Sequence, residues 1–440
     1  MPKHNLRRRI SYYIEWLILH LCALNIITLT GGMWSSDPTF GKSIWDFYLE
    51  YEIVLFVSAI VLFCVYRTFN IRNKAFVTIG VVILGAAGYL IHHNENVYIY
   101  CYRKYFLVPL VLLLFLLCVI KNVERIWIAF SNVVSVIAIV SWIFYIGGTV
   151  LHIISPLKLN ERVWGVCEPY LIPNYYYVYY EAQLSHPLGF DIWHNCGLFA
   201  EASLFCVVLC TALAAELFLF NRSRGRNLVI GLLVLTIIST FSIIGIIFLV
   251  CIVLITLVRL PGVHLMMKKH RKVINVGSCA MVLIVSIIVF AKFSSIQGYF
   301  ANSVVWDHAF TCFVVLKDKL LFGNLWICED YFSDLTKFPG TVSVGLPFFL
   351  MGGGLVLGSV ILIPYLISLK TAIKTKDYRL FVFNTLFLML YFFSPITRFP
   401  LVQLFIAFNA VSSSVWGEDP AKTTTTNRNS STWLNPGESN

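Results

Sequence analysis

The chain has 440 residues, 58% of them hydrophobic and only 12% charged, with 33 Lys/Arg against 22 Asp/Glu and a formal net charge of +11. Its mean hydropathy is +0.79, a value few water-soluble domains approach. The basic excess gives no case for nucleic acid, because the Lys/Arg residues fill the gaps between apolar runs and form no basic face.

In chain order, runs of near-bilayer length occupy 13–30, 51–66, 75–91, 105–120, 127–154, 197–220, 227–241, 242–258, 273–293, 343–368, 380–394 and 401–416. Only helices or closed barrels satisfy every backbone group in hydrocarbon. The runs are continuous and lack the period of two that marks barrel strands, so the expectation is all-α: a polytopic transmembrane bundle of about 12 spans. Spans seven and eight abut, and basic flanks on both sides of the pair favour a hairpin turning near Ser239–Ser242 over one long helix. Arg7–Arg9 precede an apolar run with no small-residue cleavage site after it, so the first span reads as a retained helix.

With the amino terminus inside, the inner segments 1–12, 67–74, 121–126, 221–226, 259–272, 369–379 and 417–440 hold 23 of the 33 Lys/Arg. By that asymmetry both termini are expected on the cytoplasmic side. A single membrane domain then spans 1–416, and the Thr/Asn/Ser-rich tail 417–440 is expected to be disordered.

Two outer loops stand out by length, 155–195 and 294–342, and any chemistry is expected there or in the helix mouths beneath. The first packs Tyr170, Tyr175, Tyr176, Tyr177, Tyr179 and Tyr180 into eleven positions. Such rings suit either an interfacial belt or stacking on sugar faces, with Tyr176 and Tyr179 the named contacts. Five cysteines fall outside by this topology (Cys101, Cys167, Cys196, Cys312 and Cys328), an odd number without paired spacing. No metal-ligand spacing and no cofactor motif is present; His92-His93 with Glu95 reads as a solvated loop tip.

The sixth span opens His194-Asn195-Cys196-Gly197-Leu198-Phe199-Ala200-Glu201, and the turn beyond it carries Thr240-Phe241-Ser242-Ile243-Ile244-Gly245. The second long loop holds Trp306 and then Leu321-Phe322-Gly323-Asn324, followed by a Gly-rich span from Gly345 to Gly358. In this order the segments resemble the Wzy-type O-antigen and capsular polysaccharide polymerases. The departures are His194 and Asn302-Ser303 where that family commonly has Arg, and Ser343-Val344 in place of a His-Asn pair. The resemblance implies that lipid-linked oligosaccharide units on polyprenyl pyrophosphate are joined at the outer face of the plasma membrane. It also implies a flippase and a chain-length regulator as neighbours. A ligase with the same helix order, or a transporter of lipid-linked glycan, are the alternatives.

The residues suggest roles of their own. A carboxylate about one turn inside an apolar helix, Glu201, marks a functional site by default. If that helix extends back, His194 lies seven residues away on nearly the same face, roughly 10 Å along the axis. Free N–H groups near Cys196-Gly197 would favour an anion. Outer cations Arg162, Lys317, Lys319 and Arg398 could hold a departing pyrophosphate. Asp307 and His308, beside Trp306, are the local choice of base for an acceptor hydroxyl, with Glu201 the alternative.

Overall fold

The computed structural model describes residues 3–35, 44–66, 79–80, 106–120, 122–162, 170–185, 191–220, 225–258, 320, 321, 323, 346–394 and 400–415. Most of span 75–91, span 273–293, most of loop 294–342 and the tail 417–440 lie outside these residues. The other ten expected spans coincide with helices. They are α1 (Lys3–Leu29), α2 (Ile44–Tyr66), α3 (Val108–Val119), α4 (Arg125–Phe144), α5 (Ala202–Phe218), α6 (Arg226–Ser239), α7 (Ile243–Val258), α8 (Leu346–Thr375), α9 (Tyr378–Phe393) and α10 (Pro400–Val415). Among the described residues, four helices are long and apolar enough to cross a membrane by themselves: Ile10–Leu29, Asp46–Tyr66, Arg125–Val150 and Gly353–Thr375. The rest are shorter apolar helices.

Burial sorts these helices into two kinds. Almost every residue of α5 is buried, and so is all of 400–412 in α10, as expected of helices that are apolar all round. Helix α5 packs against α4, α6, α7 and α9, while α10 packs against α3 and α8. The peripheral helices instead expose apolar stripes. On α4 the stripe runs Val136, Ile139, Ile143, Ile146 and Val150, at alternating spacings of three and four. A face of that kind suits hydrocarbon better than water.

The turn between α6 and α7 falls at Thr240-Phe241, inside the expected hairpin, with Phe241 at a φ of 49°. At the other sharp turn, Asp377 caps α9 by accepting from the N–H groups of Arg379 and Leu380 at 3.0 and 3.2 Å. Two ion pairs join the helices, one with a partly exposed arginine and one buried on both sides. Arg125 meets Glu15 at 2.7 Å, where Tyr66 also donates to Glu15. Arg226 meets Glu216 at 3.1 Å, and Ser131 donates to the same carboxylate at 2.6 Å. Removing Arg125, or either partner of the second pair, would leave a buried charged group without its counter-ion.

Two features depart from the all-α expectation. Helix α4 continues as a π-helix over Tyr145–Val150, and the loop beyond it contains strands. Strand β1 (Lys158–Arg162) pairs antiparallel with β2 (Tyr170–Tyr175), which pairs with β3 (Tyr179–Tyr180); β4 (Leu184–Ser185) pairs with β5 (Ile192–Trp193). The alternation Leu159/Asn160 and Leu171/Ile172 puts Asn160, Ile172 and Asn174 inward and leaves Leu159 and Leu171 outward. A loop that is short on helix formers and rich in Tyr pairs as strands once its backbone is withdrawn from water.

Helix α8 breaks at Gly354, whose φ and ψ are 60° and −163°. Past the break, Leu355 N–H donates to Leu320 O at 2.9 Å and Val356 N–H to Leu321 O at 3.0 Å, so the interrupted ladder is repaired from outside the helix. A Cβ at Gly354 would lie 2.4 Å from Leu321 O and 2.5 Å from Gly323 N. Gly354→Ala is therefore expected to cost about 2 kcal/mol or more, through both strain and collision. Gly231→Ala, which meets nothing within 4 Å, should leave stability unchanged or slightly raised. Thermal unfolding of the two variants in detergent measures the contrast.

Candidate functional site

The chain between β5 and α5 is the centre of the site. Residues 194–200 are buried but not helical, so α5 starts later than the sequence suggested. Glu201 is its N-cap residue, with extended φ and ψ of −138° and 139°. His194 and Glu201 therefore do not share a helix face, and the seven-residue helical argument for them does not hold. They are brought together differently. Gln183 accepts from His194 N–H at 3.0 Å through its main-chain oxygen and from Ala202 N–H at 3.1 Å through Oε1. Glu201, half-buried, accepts from Ser203 Oγ at 3.0 Å.

His194 lies against the α6–α7 turn. Its Nδ1 is 2.7 Å from the Thr240 carbonyl, and its ring meets Phe241 edge-on. Because a carbonyl only accepts, Nδ1 carries the proton and Nε2 is the basic nitrogen of the neutral ring. Asn195 is fully buried and joins three elements. It donates through Nδ2 to Ser141 Oγ (3.2 Å) and Ser239 Oγ (3.0 Å), and its N–H donates to Ser239 O at 3.0 Å. Its Oδ1 accepts from Gly197 N–H at 3.2 Å. Gly197 sits at a φ of +55°, where a Cβ would collide with the Phe205 ring at 2.9 Å.

The expected anion cradle near Cys196-Gly197 is not formed. The Gly197 N–H is used by Asn195, the Ala202 N–H by Gln183, and Glu201 adds negative charge where the anion was expected. Cys196 is a buried free thiol, pushed up to about 12 by burial, with Glu201 acting in the same direction.

The tyrosine-rich loop also divides. Tyr176, at the hairpin tip, is exposed with a φ of 56°. Beside it, Lys158 lies over the Tyr177 ring at 4.9 Å, a cation–π contact. Tyr179 is instead fully buried, stacked on Phe144 and hydrogen-bonded to Thr149 at 3.1 Å, so its ring is not open to a sugar. Sequence reasoning passed over Glu181, which is 8% exposed and accepts through Oε2 from Thr149 Oγ1 at 2.8 Å and from the Tyr175 hydroxyl at 3.1 Å. It also passed over Asn195. An acidic residue inside a tyrosine run, and a polar residue beside the chosen histidine, were the available signals. The backbone of Arg162 ends β1, and nothing is described of its side chain; Trp306, Asp307, His308, Lys317, Lys319 and Arg398 lie outside the described residues.

No protein-family model matches this chain, and neither a curated protein nor a solved structure matches it significantly.

Burial lowers the His194 pKa from its ordinary 6.5, and the Thr240 hydrogen bond opposes the shift. A histidine with a depressed folded value contributes its full stability above the ordinary value, and that contribution is lost as the pH falls below it. His194→Gln keeps a donor for the Thr240 carbonyl and removes the titration. Melting temperatures between about pH 7 and pH 5 should fall less steeply for this variant than for the wild type.

Proposed function

We propose that this protein is a multi-pass enzyme of the bacterial plasma membrane that joins polyprenyl-pyrophosphate-linked oligosaccharide repeat units into a surface polysaccharide. In this reading about twelve helices cross the bilayer, both termini are cytoplasmic, and loops 155–195 and 294–342 face outward. The observation that carries it is the meeting of two separate segments that resemble the polymerases. His194 and Asn195 hydrogen-bond to Thr240 and Ser239, at the end of the bundle where the folded loop lies. A second pair of such segments also meets, at Leu321 and Gly354.

The growing chain leaves its polyprenyl pyrophosphate and is taken up by a sugar hydroxyl of the incoming unit. Departure develops negative charge, for which Arg162, Lys317, Lys319 and Arg398 are the cations that the sequence offers. Tyr176 and Trp306 offer stacking faces for the sugars. The acceptor hydroxyl needs a base, with Asp307, His308 and Glu201 the choices from the sequence. His194, buried and fixed in one tautomer, orders the wall of the site. A flippase delivering units and a regulator of chain length are the partners this function calls for.

The test is a deletion strain complemented with His194→Ala or Glu201→Ala. Gel ladders of surface glycan should collapse to single repeat units for both variants, at normal protein levels in the membrane. Full-length lipid-linked chains that never reach the surface acceptor would instead identify a ligase. Units that fail to arrive at the outer leaflet would identify a flippase.

A further inference from the structure

We infer that Glu181, which no motif singled out, is the carboxylate that accepts the acceptor hydroxyl's proton, an assignment that rests on the glycosyl-transfer reading above. Glu181 is 8% exposed, and a carboxylate withdrawn this far from water needs a reason. Hydroxyl donors hold one of its oxygens. Thr149 Oγ1 donates to Oε2 at 2.8 Å and the Tyr175 hydroxyl at 3.1 Å. Thr149 has one proton and gives it to Glu181, so in the 3.1 Å contact between Tyr179 and Thr149 the tyrosine is the donor. The chain of donors thus runs from Tyr179 through Thr149 to Oε2, with Tyr175 joining from the side. No hydrogen bond reaches Oε1 among the described residues. One oxygen is clamped and the other is left for a ligand.

The backbone supports the same assignment. Thr149 belongs to the π-helix Tyr145–Val150, a local widening that is frequent at functional sites. A Cβ at Gly148 would lie 2.6 Å from the Tyr175 ring, so only a glycine there lets that ring reach the carboxylate. Burial, with the Glu181 charge second, pushes the Tyr175 hydroxyl up to about 12, so it stays a donor. Glu201 also accepts from a hydroxyl, that of Ser203 two residues on, but it lies at the N-cap position of α5 and is less buried than Glu181.

In the proposed step the acceptor oxygen forms a bond to the anomeric carbon of the donor glycan. The bond from that carbon to the pyrophosphate oxygen breaks, and its electron pair leaves with the pyrophosphate. The hydroxyl proton passes to Oε1 of Glu181. No oxidant or reductant is required.

The experiment uses the full-length protein in liposomes, supplied with lipid-linked repeat units extracted from a polymerase-deficient strain of the source organism. Glu181→Gln should lower turnover by about 100-fold or more, with donor retention on the liposomes and the melting temperature preserved. Glu161→Gln, on the exposed face of β1, should elongate as the wild type does. Glu181→Ala should regain activity when formate is added, as a merely structural carboxylate would not. If Glu181→Gln fails to fold, Thr149→Val decides: a lower kcat at unchanged KM supports the assignment and an unchanged kcat overturns it. Elongation by Glu181→Gln at the wild-type rate overturns the role of Glu181 and leaves the polymerase reading intact. A wild-type protein that elongates nothing from these units overturns both.

Discussion

A buried stretch of chain that is not helical must find a partner for each peptide group it withdraws from water, and in this molecule residues 194–200 face that demand beside an apolar bundle. Their solution organises everything around them. Leu198 O accepts from Met33 N–H and Gly31 O accepts from Ala200 N–H, so the end of the first helix is drawn in. Gly197 O accepts from Tyr180 N–H, which draws in the tyrosine loop, and Asn195 secures the α6–α7 turn. The loop, the turn and two helix ends are held at one place by backbone groups that have nowhere else to go.

Polar side chains follow the same logic at the two ends of α5, which at 17 residues is about 25 Å long. Near the end that carries Glu216, Arg226 and Ser131 hold that carboxylate through its two oxygens, and Arg125 and Tyr66 both reach Oε2 of Glu15. Near the Glu201 end, the acids are held by hydroxyls. Glu181 has Thr149 and Tyr175, and Glu201 has Ser203. A carboxylate paired with a cation is a brace. One held by hydroxyls is positioned by neutral donors instead, and that is the contrast between the two ends.

Gly354 adds a second irregular backbone element to the bundle. Its left-handed conformation frees helix donors, and the carbonyls of Leu320 and Leu321 take them up. Broken helices inside membranes occur where protein or a water-filled cavity satisfies the freed groups, and here protein does so. Leu321 and the break at Gly354, more than thirty positions apart in the chain, are thus held together.

The sequence by itself determined the helices. Ten expected spans fall on described helices, and the hairpin at Ser239–Ser242 turns where charge flanking put it, because length, apolarity and basic flanks are local properties that one stretch of chain carries alone. The same local logic named His194 and Glu201 but misjudged how they meet, since it extended a helix back through residues that pair instead with Gln183, Asn195 and Gly31. It credited Tyr179 with an open face that Phe144 covers, and it passed over Glu181 and Asn195. Only the tertiary structure decided these, for a physical reason. Whether a polar group is a ligand, a brace or a base depends on which donors are left to satisfy it, and those donors come from segments far away in the chain.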